Sequence, residues 1–442
     1  MTGSRQAVAV AAILLGACAA DSGGPSAVTI VAGGGGGPPL DHPSSGGHET
    51  VGGGGGAMNA LPCPIAPSEA WSPAALAAFA PPADPGAGAI LVAISGESLA
   101  LGGYAFPPAG DAPAFVDGWK VTFERLLVTV DGVTLADNPD KDPGDPSKTD
   151  APVAAANGPW AVDLHRTGTL PGKSGAGESA IPIVAIANRN LQGGASFDST
   201  VRYALGFRTV AATAAAKNVN LDQAALVDYA EMIARGYSVL YVGTATFEGT
   251  DCVPASPTFD LLPRVVSFRL GFAAPTSYLN CQNPDNDPAV PFANEEHQRG
   301  VQIHDNAAVV AQLTVHTDHP FWDAVTHDSP AHFDPIAAQY TCVPKGTVPI
   351  ARVEDMAGVD PLWIRERGGA PLPWRSCVGA GFAPPDQGAV HFDLRGVPLD
   401  PSNGDGTKLR DYADYLRYNQ STEGHLDADG LCYVRRDYPS PP

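Results

Sequence analysis

Apolar positions in this chain come in short runs, separated by breaks rich in glycine, proline and aspartate. In "GWKVTFERLLVTVDGVTL", Trp119, Val121 and Phe123 alternate with Lys120, Thr122 and Glu124. A period of two puts one set on each face of a strand. Asp131-Gly132, between "LLVTV" and "VTL", predicts a two-residue hairpin turn. "AILVAISGESLAL", "GPWAVDLHR", "SAIPIVAIA", "STVRYALGFRTV", "YSVLYVGTATFEG" and "VVSFRLGF" read as further strands. A helical period appears in "NLDQAALVDYAEMIARG", where Leu226, Tyr229, Ala230 and Ile233 share one face. Asn220 with Gln223 gives a capping-box pattern at its start, and Gly236 suits its stop. A second helix is predicted in "TKLRDYADYLRYN", with Leu409, Tyr412 and Leu416 on one stripe.

This pattern predicts a mainly β protein: an antiparallel β-sandwich-like body with one or two short inserted helices. A unit over 63–282 would be followed at "NPDNDP" by a histidine-rich β unit over 283–442, either separate or continuous with the same sheets. No repeat of fixed period is present.

Histidine is concentrated in one place. Of 11 histidines, six fall between 297 and 332: His297, His304, His316, His319, His327 and His332. "RGVQIH" and "AVVAQLTVH" both alternate, so a hairpin through 305–308 is predicted. Its register sets His297 opposite His316, with Cβ atoms about 4.5–5.5 Å apart. "HTDHPFWDAVTHDSPAH" continues with Asp318, His319 and a short turn burying Phe321 and Trp322, then Asp323, His327, Asp328, His332 and Asp334. Neutral imidazole and carboxylate suit zinc, copper(II), iron or nickel. His316 and His319 lead the candidate ligands, followed by His297, Asp318, His327 and His332. Zinc or copper(II) is the expected ion. None of the 4 methionines is near, which disfavours copper(I). The competing reading makes these histidines part of a structural His/Asp network. Calcium is a further candidate at "DNPDKDPGDPSKTD" or at the aspartate-rich turns near Asp400 and Asp427, although the 137–150 stretch lacks a closing glutamate and reads as a solvated loop. His165 and His391 stand alone on strand patterns.

Composition narrows the class. Lys plus Arg is 26 and Asp plus Glu 47, a formal charge of −21, which argues against nucleic acid as a partner. With 50 Gly and 43 Pro, the chain is rich in loops. Cys63, Cys252, Cys281, Cys342, Cys377 and Cys432 form an even set without a C-x-x-C pair, as expected of disulfides in an exported protein. Six cysteines pair in many ways; local staples Cys252–Cys281 and Cys342–Cys377, with Cys63–Cys432 joining the ends, are the simplest. No G-x-S-x-G, P-loop, dinucleotide fingerprint or H-E-x-x-H is present.

The N-terminus adds a location. One charge, Arg5, precedes an apolar run from Ala7 to Ala17 that ends in Leu15-Gly16-Ala17-Cys18. The run is too short to span a bilayer and suits a secretory signal. Leu-Gly-Ala-Cys resembles the lipobox of bacterial lipoproteins. That resemblance covers about the first twenty residues and implies removal of 1–17, with lipid on Cys18. Ala19, rather than Asp, favours the outer membrane. A disordered Gly/Pro/Ser tether over 18–62 would then reach roughly 35–40 Å. His42 and His48 lie in it as solvated linker residues. Three functions fit. One is a non-enzymatic, lipid-anchored envelope protein holding a divalent ion. Another is an adhesion or carbohydrate- or protein-binding sandwich with an envelope protein or glycan partner. The third is a metal-dependent hydrolase.

Overall fold

The computed structural model describes residues 61–65, 69–285, 295–325, 329–378, 392–401 and 407–438. These described residues all fall in one compact unit. Among the described residues the fold is mainly β, in two sheets dominated by antiparallel pairs.

The larger sheet is built on a long strand, Trp119–Ala136. Its first residues alternate buried and exposed, as the period-two pattern predicts. Val239–Phe247 pairs with it and with Val265–Phe272, both antiparallel. Asp131-Gly132 does not end the strand. Gly132 adopts φ 60° inside a bulge where the pairing to Arg208 and Gly206 shifts between Asp131 and Thr134. The left-handed glycine bends the strand instead of reversing it.

The smaller sheet carries the histidine segment. Val309–Val315 lies beside Ile90–Ser95 in parallel, with Thr314 opposite Ser95. On its other edge it pairs antiparallel with Gly424–Leu426, with Thr314 opposite His425. The predicted 305–308 hairpin is therefore absent: Val301–Gln302 pairs with Tyr203 and Arg202 of the larger sheet. Alternation had fixed which faces these strands show, but not which strand lies alongside.

Ile90, Val92, Ile94, Ala311, Leu313 and Val315 of the smaller sheet share one core with Val121, Phe123, Leu126 and Val128 of the larger. That is the sandwich expected when two one-sided sheets bury their apolar faces together. On the outer face of the larger sheet, helix Gln223–Arg235 packs Ala225, Tyr229 and Met232 onto Leu127, Leu240 and Val242. Asp222 caps it by accepting from Ala225 N, and Gly236 ends it in the left-handed conformation. Asn220 is not the cap: its amide bonds the backbone of Asp163.

Three disulfides hold the layers: Cys63–Cys342, Cys252–Cys377 and Cys281–Cys432. None of the expected pairs Cys252–Cys281, Cys342–Cys377 and Cys63–Cys432 is formed; each bridge closes a loop of more than a hundred residues (279, 125 and 151). Such bridges are compatible with an extracytoplasmic protein. No helix among the described residues is long and apolar enough to cross a membrane. Cys18 and the tether lie outside the described residues.

Candidate metal centre

The site forms where the strand Val309–Val315 ends. His316 N donates to Glu423 O at 3.1 Å, which extends the strand pairing by one residue. Tyr241 OH lies 3.3 Å from His316 O and bonds the Glu423 carboxyl, and Tyr104 OH bonds Thr317 Oγ1 at 2.7 Å. Both tyrosines belong to the core between the sheets. A 3-10 turn follows over His319–Phe321, with Pro320 fixing its φ. Phe321 and Trp322 anchor this turn in the interior, as their apolar character predicts. Backbone held at both ends thus presents three side chains in one direction.

Nitrogen or oxygen atoms of His316, Asp318 and His319 all lie within 4.8 Å of one another. His425 joins them from the neighbouring strand. Its ring centroid is 4.2 Å from that of His316 and 5.6 Å from that of His319, and those two rings are 5.2 Å apart. Three imidazoles and a carboxylate converge in an almost fully buried place: His319 and His425 are each 1% exposed.

Neighbours orient the rings. His319 Nδ1 lies 2.7 Å from Thr422 Oγ1, and that hydroxyl gives its only proton to Asn419 O at 2.7 Å. The hydroxyl oxygen can therefore only accept from the ring, so Nδ1 carries the hydrogen and Nε2 the lone pair. Trp322 stacks on the same imidazole at 3.8 Å. His316 Nδ1 faces Glu97 Oε2 at 3.4 Å, an arrangement that favours the same tautomer when the carboxylate is ionised. Glu97 holds φ at 60°, a left-handed conformation uncommon outside glycine that recurs at functional positions.

The surroundings are electronegative. Burial, then repulsion by Asp318, Glu178 and Asp429, pushes the Glu97 carboxyl up to about 8. Burial also raises Glu423 well above the carboxylate range, with Asp318 adding to it and hydrogen bonds from Tyr241 and Gln420 opposing. Carboxyl groups gathered this closely raise one another's pKa, and a cation among them offsets that repulsion.

Other sequence candidates lie elsewhere. His297 donates its backbone N to Gln282 Oε1 at 3.0 Å, and its ring approaches Glu296 at 4.0 Å. It is not opposite His316, since the strand that would bring it there pairs with the larger sheet. His304 is exposed. His332 is buried in a different polar cluster, 3.4 Å from Asp323 and 3.9 Å from Asp117, with Trp374 against its ring. His327 and His391 lie outside the described residues. His165 bonds Ala100 O through Nδ1 at 2.6 Å.

The aspartate-rich loops read as architecture. Asp137 pairs with Arg189, Lys141 with Asp150, and Asp142 and Asp145 cap turns of their own loop. The buried Arg299 guanidinium points at the carbonyls of Pro139, Asp142 and Pro143, each at 3.4 Å, and puts a fixed cation where calcium would otherwise be sought. A cleft of about 690 Å³ beside this loop is lined in part by these paired charges. Near the C-terminus, Asp427 accepts from Lys173 Nζ at 2.7 Å and from Gln312 N at 2.9 Å.

Sequence reasoning missed His425, Glu97 and Thr422. Only His425 carried a local signal: "GHLDADGL" has a turn rich in Asp and Gly between apolar positions, and the structure folds it into paired strands with His425 opposite Leu431. In comparisons with protein-family models, curated proteins and solved structures, the chain matches none.

Proposed function

We propose that this is a lipid-anchored envelope protein that holds one divalent transition-metal ion, zinc or copper(II), between His316, Asp318, His319 and His425. The observation that carries the reading is the gathering of His316, Asp318 and His319 donor atoms within 4.8 Å. Donors sit about 2.0–2.2 Å from such ions, so small side-chain rotations close the site. The Thr422 hydroxyl supports ligation of His319 through Nε2, and Glu97, once ionised by a bound cation, supports the same for His316. Histidine ligands oriented by a second polar group are the usual design of imidazole–metal sites. The role is to bind and retain the ion rather than to transform a substrate.

Elemental analysis of the purified soluble body, after exposure to zinc or copper(II) and removal of excess ion, tests the site. One equivalent of metal is expected, and at most a tenth of that in a His316→Ala/His425→Ala variant. Equal metal in both proteins would refute it. For the anchor, Cys18→Ser is expected to abolish lipid labelling and release the chain from the membrane fraction. A mutant still labelled by lipid would refute that part.

A further inference from the structure

We infer that the metal ion accepts a fifth, exchangeable ligand beside its four protein ligands, from a small apolar cavity that takes a compact donor molecule, neutral or singly charged. The inference rests on the metal reading above. A cavity of about 210 Å³ has the imidazoles of His319 and His425 as its polar inner wall. Its remaining wall includes Trp322, Val325, Leu431 and Val434. Both imidazoles are buried, whereas Leu431, the cross-strand neighbour of His425, is 39% exposed. The cavity therefore runs from the ligand side chains toward the surface.

Its lining sets the class of occupant. Among the described residues, no Asp, Glu, Lys or Arg lines it. Thr422 also lines it, but its hydroxyl is committed to His319 Nδ1 and Asn419 O. A bound molecule would therefore find apolar contact on its body and one strong polar partner, the ion. Multiply charged anions such as phosphate would lose their hydration without any compensating cation on the wall. The size agrees, since sites for drug-sized ligands run to about 300–1,000 Å³. A single-ring azole or a triatomic anion fits the chemistry: one nitrogen donor on a small body.

Cobalt(II) is the probe ion, because its visible absorption reports coordination. The cobalt-loaded body is titrated with imidazole, azide and inorganic phosphate, and retained cobalt is measured after each titration. Imidazole and azide are expected to produce saturable spectral shifts with cobalt retained, and phosphate none at equal concentration. Val325→Phe and Val434→Phe fill the cavity without touching the ligands. Each is expected to bind one cobalt as before and to raise the imidazole midpoint at least tenfold. Cobalt bound without any response to imidazole or azide overturns this inference and leaves the metal reading standing. So does an unchanged midpoint in both filled variants, or a phosphate shift equal to that of imidazole. A parent that binds no cobalt overturns the metal reading, and this inference with it.

Discussion

Arg375→Met would strand a carboxylate charge in the protein interior. Asp334 is 2% exposed and accepts from Trp119 Nε1 at 2.7 Å. Arg375 binds it with two donors, one of them Nε at 2.8 Å. The guanidinium is stacked on Phe247 and Phe259 at 4.1 and 4.3 Å. Two unit charges about 4 Å apart, at an effective dielectric constant near 20, attract by about 4 kcal/mol. Removal of one partner from a buried pair costs about 3–5 kcal/mol, because the other charge stays desolvated. Methionine retains part of the stacking, so the loss is mainly electrostatic. The double variant Arg375→Met/Asp334→Asn should recover most of it, since asparagine is neutral and still accepts from Trp119. Urea unfolding of the oxidised protein at neutral pH measures both. The single variant should lose about 3–5 kcal/mol and the double under about 2, with metal affinity unchanged in the folded single variant. A loss below about 1 kcal/mol, or a double variant no better than the single, would show that Asp334 does not depend on Arg375.

Three further outcomes follow from the same geometry. Asp117 is held up to about 7 from an ordinary 3.8, by burial first and then by Asp334, against the opposing pull of His332, the Asp334 backbone N–H and Arg375. Between those values the folded state keeps a proton that the unfolded chain has lost, so this group's contribution to stability falls as pH rises from about 4 to 7 and then levels off; Asp117→Asn should flatten that slope in denaturation midpoints measured across pH 4–8, and an identical slope would refute it. Cys281→Ser/Cys432→Ser should destabilise the protein by about 2–5 kcal/mol, and alkylation of the unfolded, unreduced parent should label none of the six body cysteines; two or more labelled thiols would contradict the pairing. Thr422→Val removes the acceptor for His319 Nδ1 and should weaken metal binding about 10–100-fold with little change in the far-UV spectrum; an unchanged dissociation constant would show that the hydroxyl does not position the ring.

What was legible in the sequence was local. Alternation at Trp119–Phe123 and 3.6-periodicity before Gly236 gave a strand and a helix where they occur, because backbone period and burial share a cause. His316, Asp318 and His319 were visible as a group because four residues and one turn hold them together. Long-range pairing was not visible. His425 reaches His316 through a strand more than a hundred residues away, and Val309–Val315 takes its parallel neighbour, Ile90–Ser95, from more than two hundred residues upstream. A local hairpin was the natural expectation, but periodicity encodes a face and not a partner. The cysteines carry the same lesson, since adjacency in sequence favoured pairs that the sheets do not bring together. Asp-Gly at 131–132 shows a different failure: one left-handed glycine serves a turn or a bulge equally well, and the bulge prevails because the strand continues to pair beyond it.

The central claim is that the histidine cluster holds an ion. Calorimetric titration of the metal-stripped protein with zinc and with copper(II), alongside thermal melts, tests it most directly when repeated on His316→Ala/His319→Ala. The account predicts one saturable site in the parent. It also predicts a rise in melting temperature with metal, since ligand at a hundred times its dissociation constant stabilises the fold by about 2.7 kcal/mol. The double variant should show neither response while its far-UV spectrum stays native. A parent without a saturable site, together with a variant that loses stability in the absence of any metal, would contradict the account and make the cluster a structural network.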